Sequence, residues 1–147
     1  MLEFAGLGIA LAALAAAGGV ELGRRRKEGR VRAVPVADES GAQLLARLGV
    51  TPGTPVTLLQ FSSAFCAPCR AARVLCRQIA TEWPRVRHVE VDAESHLAEV
   101  RALGVWRTPT VFLVDRLGRI VGRITGVPRR DQLLAAIRPL LTEGEPG

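Results

Sequence analysis

The chain has 147 residues, 48% of them hydrophobic, and a formal net charge of +6, a length that suits one domain with a small appendage. Nucleic-acid binding, which a basic chain invites, is set aside because aromatic residues make up only 4% and no recognition motif accompanies the charge. Beyond residue 23 stand 20 basic against 12 acidic side chains, a formal +8. Much of that excess lies in Arg24-Arg25-Arg26-Lys27, where attraction to anionic lipid headgroups is the simpler explanation.

Residues 4–20 contain no polar side chain, and from Leu2 to Leu22 the apolar stretch is 21 residues long, with Glu3 and Glu21 near its ends. A bilayer span takes about 20 such residues, so residues 1–22 read as one transmembrane helix. A cleavable secretory signal is the rival reading, and Ala15-Ala16-Ala17 resembles its cleavage site. Such a signal carries positive charge ahead of its apolar stretch, whereas here only Met1-Leu2-Glu3 precede it and every Lys and Arg lies beyond position 23. Because the positive flank stays cytoplasmic, the expectation is a single-pass membrane protein with its N-terminus outside and its domain in the cytosol.

Residues 23–34 read as a basic juxtamembrane linker, and Val31 to Ala37 as a first short strand. Ser40 precedes a helical pattern, Gln43 to Leu48, which Gly49 closes as a C-cap. Thr51-Pro52-Gly53-Thr54-Pro55 is a turn cluster. The β-rich run Val56 to Ser62 is a strand, followed by a helix from Cys66 or Ala67 to about Glu82. On that helix Cys69, Ala72, Leu75, Cys76, Ile79 and Trp83 form one stripe, while Arg70, Arg73 and Arg77 take another face. Val86 to Val91 alternates as a strand, Ser95 to Leu103 is a short helix, and Thr110 to Val114 is a continuous apolar strand. Arg116-Leu117-Gly118-Arg119 turns the chain into a strand from Ile120 to Thr125. Gly126 and Pro128 mark the next boundary, and Asp131 to Ile137 is a last helix that Pro139 ends or kinks. The order β-α-β-α-β-α-β-β-α implies a parallel portion with helices on its faces and an antiparallel final hairpin.

The tetrad Cys66-Ala67-Pro68-Cys69 sits at the junction between the first long strand and its helix. Residues i and i+3 of a helix lie roughly 5–6 Å apart at Cβ, so two such thiols bridge with little adjustment. The helix start presents unpaired N–H groups and the positive end of the macrodipole to Cys66, favouring the reactive thiolate. Cys66 lies off the apolar stripe and nearer solvent, whereas Cys69 points to the core, which distinguishes nucleophile from resolving thiol. A zinc site would want a second ligand pair, and Cys76, His88 and His96 make no such pattern, so no metal is expected. A purely structural disulfide closing so small a loop would stabilise little. Cys76 lies about 10 Å along the helix from Cys69, too far to bridge, and reads as a small buried apolar residue, with a regulatory intermolecular thiol as the alternative. His88 and His96 read as structural or surface residues.

With that element order and tetrad, the chain resembles the thioredoxin family over roughly residues 31–141. Thr108-Pro109-Thr110 stands directly before the apolar strand, where the family places a cis-proline beside its dithiol, and Gly126 matches a family glycine near the active surface. The resemblance implies a three-layer α/β/α fold around a central mixed sheet, preceded here by the transmembrane helix. The domain is then residues 35–141, with 142–147 a disordered tail. It also implies Cys66 and Cys69 as catalytic residues, supported by Ala67, Pro68, Thr108, Pro109 and Gln60. Thr108 and Gly126 would border the substrate groove; Trp106, three residues before Pro109, either joins them there or packs beside Gly104. The departures are Phe65 for the tryptophan before the first cysteine, Ser62 for an upstream aromatic, Gln60 for a buried aspartate, and His88 for the lysine paired with it. Gln cannot accept a proton at physiological pH, so a working dithiol with slower or differently timed resolution is expected.

The expected activity is reduction or exchange of protein disulfides by a membrane-tethered thiol–disulfide oxidoreductase. Its redox-active element is the Cys66–Cys69 disulfide itself, and no cofactor-binding motif is present. A flavin-dependent reductase is the electron donor the resemblance implies. The alternatives are a non-catalytic binding module of the same fold at the membrane, and an exported reductase of the cytochrome-maturation type.

Overall fold

In the computed structural model the described residues are 13–20, 23, 29–32 and 39–142. The elements are α1 (Glu39–Arg47), β1 (Val56–Ser62), α2 (Ala67–Glu82), β2 (Val86–Asp92), α3 (Leu97–Ala102), β3 (Thr110–Asp115), β4 (Ile120–Thr125) and α4 (Arg130–Thr142). Four strands form one mixed sheet in the order β2-β1-β3-β4. β1 and β2 are parallel, with Val56 opposite Val86 and Ser62 opposite Asp92. β3 runs antiparallel to β1, and β4 antiparallel to β3. Although a helix links β2 to β3, the two strands are not parallel. The parallel portion is therefore the β1–β2 pair alone.

Successive strand residues point to opposite faces, and here both faces are covered. Val56, Leu58, Val111, Leu113 and Ile124 pack with Cys76 and Ile79 of α2 and Leu133, Ile137 and Leu141 of α4. On the other face Leu59, Phe61, Val91, Phe112 and Val114 pack with Leu45 of α1, with Leu48 just past its end, and with Val105 beyond α3. Phe61 and Phe112 meet edge to face, with ring centroids 6.0 Å apart. Burial on both sides is why β1 and β3 are buried at every position and read as continuous apolar runs rather than alternating ones. The three-layer α/β/α arrangement is as expected.

Several local expectations change. Of the expected first strand, Val31 and Arg32 are described: Arg32 forms an isolated antiparallel bridge with Arg123 on the outer edge of β4, and residues 33–37 lie outside the described residues. Ser40 lies inside α1, which begins at Glu39. Gly49, at φ +84°, does close the helix: its N–H reaches the Ala46 carbonyl and that of Val50 reaches Leu45, the pairing of a Schellman cap. β2 does not alternate cleanly, since His88, Val89 and Glu90 are all half-buried between the flanking helices and solvent. Pro139 does not end α4, which continues to Thr142. Pro139 forfeits one backbone hydrogen bond, and the turn beyond it seats Leu141 in the core.

Among the described residues no helix is long and apolar enough to cross a membrane. Of the segment read as a span, residues 13–20 are helical and exposed, while 1–12 and 21–22 lie outside the described residues. So do Arg24 to Lys27 and the tail from residue 143.

Candidate functional site

β1, β3 and β4 bring three connections to one end of the sheet. β1 leads through Ser63-Ala64-Phe65 into Cys66, the N-cap of α2, whose backbone is extended at φ −92°, ψ 99°. Phe65 sits at φ +57° with its ring fully exposed. Ala67 and Pro68 begin the first helical turn, where a missing N–H costs nothing. That turn carries Cys69 back beside Cys66: their Cα atoms are 5.2 Å apart and the sulfurs are joined in a disulfide. Cys66 Sγ also accepts the Cys69 N–H at 3.2 Å, the bond that a capping oxygen makes in other helices. Cys66 is half-buried, whereas Cys69 is 1% exposed, the asymmetry expected from the stripe.

From β3 comes the Thr108–Pro109 peptide, which is cis. The Thr108 hydroxyl donates to Cys66 Sγ at 3.9 Å and shares a 2.7 Å hydrogen bond with Ser63. From β4 comes Gly126, whose N–H donates to the Pro109 carbonyl at 2.8 Å. Cys66, Thr108, Pro109 and Gly126 are thus one constellation. Trp106 is 91% exposed, so it is not core packing, and its indole nitrogen lies 3.8 Å from the point a side chain on Gly104 would occupy. A Cys66 thiolate released by reduction would face an amide N–H, a hydroxyl and the positive end of a helix, each favouring the charged form.

Beneath Cys69 lies a polar network. Gln60 is fully buried. Its amide nitrogen donates to the Cys69 carbonyl at 3.0 Å and to Ser62 Oγ at 2.8 Å. Its amide oxygen lies 3.1 Å from His88 Nε2, which places the proton on that nitrogen of the neutral ring. Gln60 and His88, which replace the family's charged pair, therefore still meet. Ser62 donates its hydroxyl proton to Glu90 at 2.7 Å, and Glu90 takes a two-pronged ion pair from Arg73 at 2.6 and 2.7 Å. Burial pushes the His88 ring below its ordinary value; the charge of Glu90 opposes this, while Arg77 and Arg73 reinforce it. Burial pushes the Glu90 carboxyl up, but the hydrogen bonds from Arg73 and Ser62 outweigh it and hold the group below the usual carboxylate range.

Arg73 and Glu90 carry no mark in the sequence, where Arg73 reads as part of a solvated face. The available signal is the β1–β2 register, which sets Gln60 opposite Glu90. Cys76 is the buried residue expected, its thiol pushed up to about 12 by burial and then by Glu90. His96 precedes α3, and its Nδ1 lies 3.0 Å from the Asp92 carbonyl. Among the described residues no three His, Cys, Asp or Glu side chains are placed to hold a metal ion.

The thioredoxin family model matches residues 49–139. A curated relative, thioredoxin H2-1 of Oryza sativa subsp. japonica, is 34% identical over 88 residues; the match covers 59% of this chain and 62% of that protein's length, a little under two thirds. Among solved structures, spinach chloroplast thioredoxin f (short form) superposes with a TM-score of 0.52 at 25% identity, covering 58% of this chain and 76% of that one. A mutant thioredoxin from Halobacterium salinarum NRC-1 shares the fold, with a TM-score of 0.55 at 22% identity over 65% of this chain and 81% of that one.

Proposed function

The chain belongs to the thioredoxin family, and from that premise we propose that it is a membrane-tethered thiol–disulfide oxidoreductase working through Cys66 and Cys69. The observation that carries the chemistry is the N-cap position of Cys66, with its sulfur on the Cys69 amide and beside the Thr108 hydroxyl. In the reduced protein the Cys66 thiolate attacks a partner disulfide, forming a mixed disulfide and expelling one partner thiolate. Cys69, deprotonated, then attacks Cys66 Sγ, closing the internal disulfide and expelling the second. Two electrons pass to the partner, whose two thiolates take up the protons. The strand-like edge at Thr108-Pro109 would hold the partner backbone, with Trp106 and Gly126 bordering it. A flavin-dependent reductase would return the electrons.

The tether is supported by an apolar helical stretch that nothing described covers. Leu14 and Val20 are 70% and 62% exposed, and a side chain built at Gly18 or Gly19 meets nothing within 4 Å. With Arg24 to Lys27 beyond the apolar segment, the charge pattern favours a single-pass protein whose domain faces the cytoplasm. An impermeant thiol reagent applied to intact cells should leave Cys66 unlabelled; labelling would support the exported alternative.

Disulfide reduction assays test the chemistry. Cys66→Ser should abolish turnover, and Cys69→Ser should accumulate the mixed disulfide with the partner. A wild-type chain that reduces disulfides no faster than Cys66→Ser would leave the binding-module reading, which the loss of a carboxylate at Gln60 favours.

A further inference from the structure

The chain enters the domain at a revealing place. The Gly29 N–H donates to the Thr125 carbonyl at 2.9 Å, and Arg32 exchanges two backbone hydrogen bonds with Arg123 at 2.9 and 2.8 Å. Residues 29–32 thus lie antiparallel along the outer edge of β4. The fit is close at both points. A side chain at Gly29, which sits at φ +74°, would stand 2.4 Å from the Val127 carbonyl oxygen, and one at Gly122 would stand 3.1 Å from Val31. Thr125 is the end of β4 that pairs with Thr110, and the next residue, Gly126, bonds to Pro109. The N-terminal part of the chain therefore departs from the dithiol end of the sheet, three strand spacings from β1, or about 15 Å.

Magnitude decides what this means for orientation. Gly29 lies six residue steps beyond Gly23, and fully extended these reach at most about 22 Å. A seven-residue strand alone spans about 23 Å, so the linker is too short to run the length of the sheet and present the opposite end. Phe65 and Trp106, almost wholly exposed, stand at the same end as the chain entry and suit surroundings at headgroup level.

We propose that the dithiol end of the domain is held toward the lipid surface, so that its substrates are protein disulfides lying close to the bilayer. This rests on the tethered reading above. The test uses the full chain in vesicles of phosphatidylcholine and phosphatidylglycerol carrying an acceptor dye on their headgroups. A donor dye is placed on Cys66 of the Cys69→Ser chain, or at Leu117→Cys in the opposite turn of the Cys66→Ser/Cys69→Ser chain. Energy transfer should be several-fold higher from the first position, and a long Gly/Ser insertion before Gly29 should erase the difference. With the wild-type chain, a disulfide peptide anchored to the same vesicles by a short spacer should be reduced several-fold faster than one on a long spacer. Equal transfer from the two positions in a chain that floats with the vesicles would overturn the orientation alone. A chain that does not float would overturn the tethered reading and this proposal with it, and indifference to spacer length would overturn the substrate class.

Discussion

Gln60 carries much of what distinguishes this site. A buried carboxylate at that position would serve as a base for the resolving thiol; an amide only holds geometry, donating to the Cys69 carbonyl and to Ser62 while accepting from His88. Gln60→Asp should therefore make single-turnover resolution faster and add the carboxyl's own pH dependence to that of the Cys69 thiol. It should also cost about 1–3 kcal/mol in urea unfolding, because two buried acceptors lose their donor. A rate–pH profile unchanged by the substitution would remove this role. His88 adds a separate pH effect. Its folded-state pKa is lowered, chiefly by burial, so between that value and about 6.5 the unfolded chain binds more protons and stability rises with pH. The stabilisation is complete above about 6.5 and drains away as pH falls through the folded value. His88→Gln, which keeps a donor for Gln60, should flatten that part of the stability profile in denaturant titrations at stepped pH.

At the scale of elements, short connections to the site are fixed by contacts from a distant strand. Arg123 of β4 donates to the carbonyls of Leu103 and Gly104 at 3.3 and 2.5 Å and lies 5.3 Å above the Phe112 ring. It thereby satisfies carbonyls that the end of α3 leaves open and anchors the segment leading to Trp106 and Pro109. Arg123→Ala should lower stability by about 2 kcal/mol and speed amide exchange at Leu103 to Val105, with a smaller effect in α4. Legibility differs along the same lines. The tetrad, the Thr108–Pro109 step and Gly126 are readable because each is a local motif. The Ser62–Glu90–Arg73 relay is not, because its members come from three elements and meet only through the β1–β2 register. The end of α4 misleads for a related reason: Pro139 signals a stop locally, while burial of Leu141 rewards continuing.

For the whole molecule, apolar runs and turn residues suffice to lay out four strands and the helices flanking them. Periodicity reports which face a residue takes, and says nothing about which neighbour a strand chooses. That is why helix-linked order suggests a parallel β3, and why nothing local foretells the placement of Val31-Arg32 beside β4. The sealed sulfur of Cys76 has a practical corollary. Of the three cysteines, it alone stands outside the disulfide, and it is walled off in the core, so a colorimetric thiol count on the oxidised chain should give none when native and one when denatured. Titrated over time under native conditions, that single late equivalent becomes a built-in stopwatch, ticking at the pace at which the interior opens to solvent.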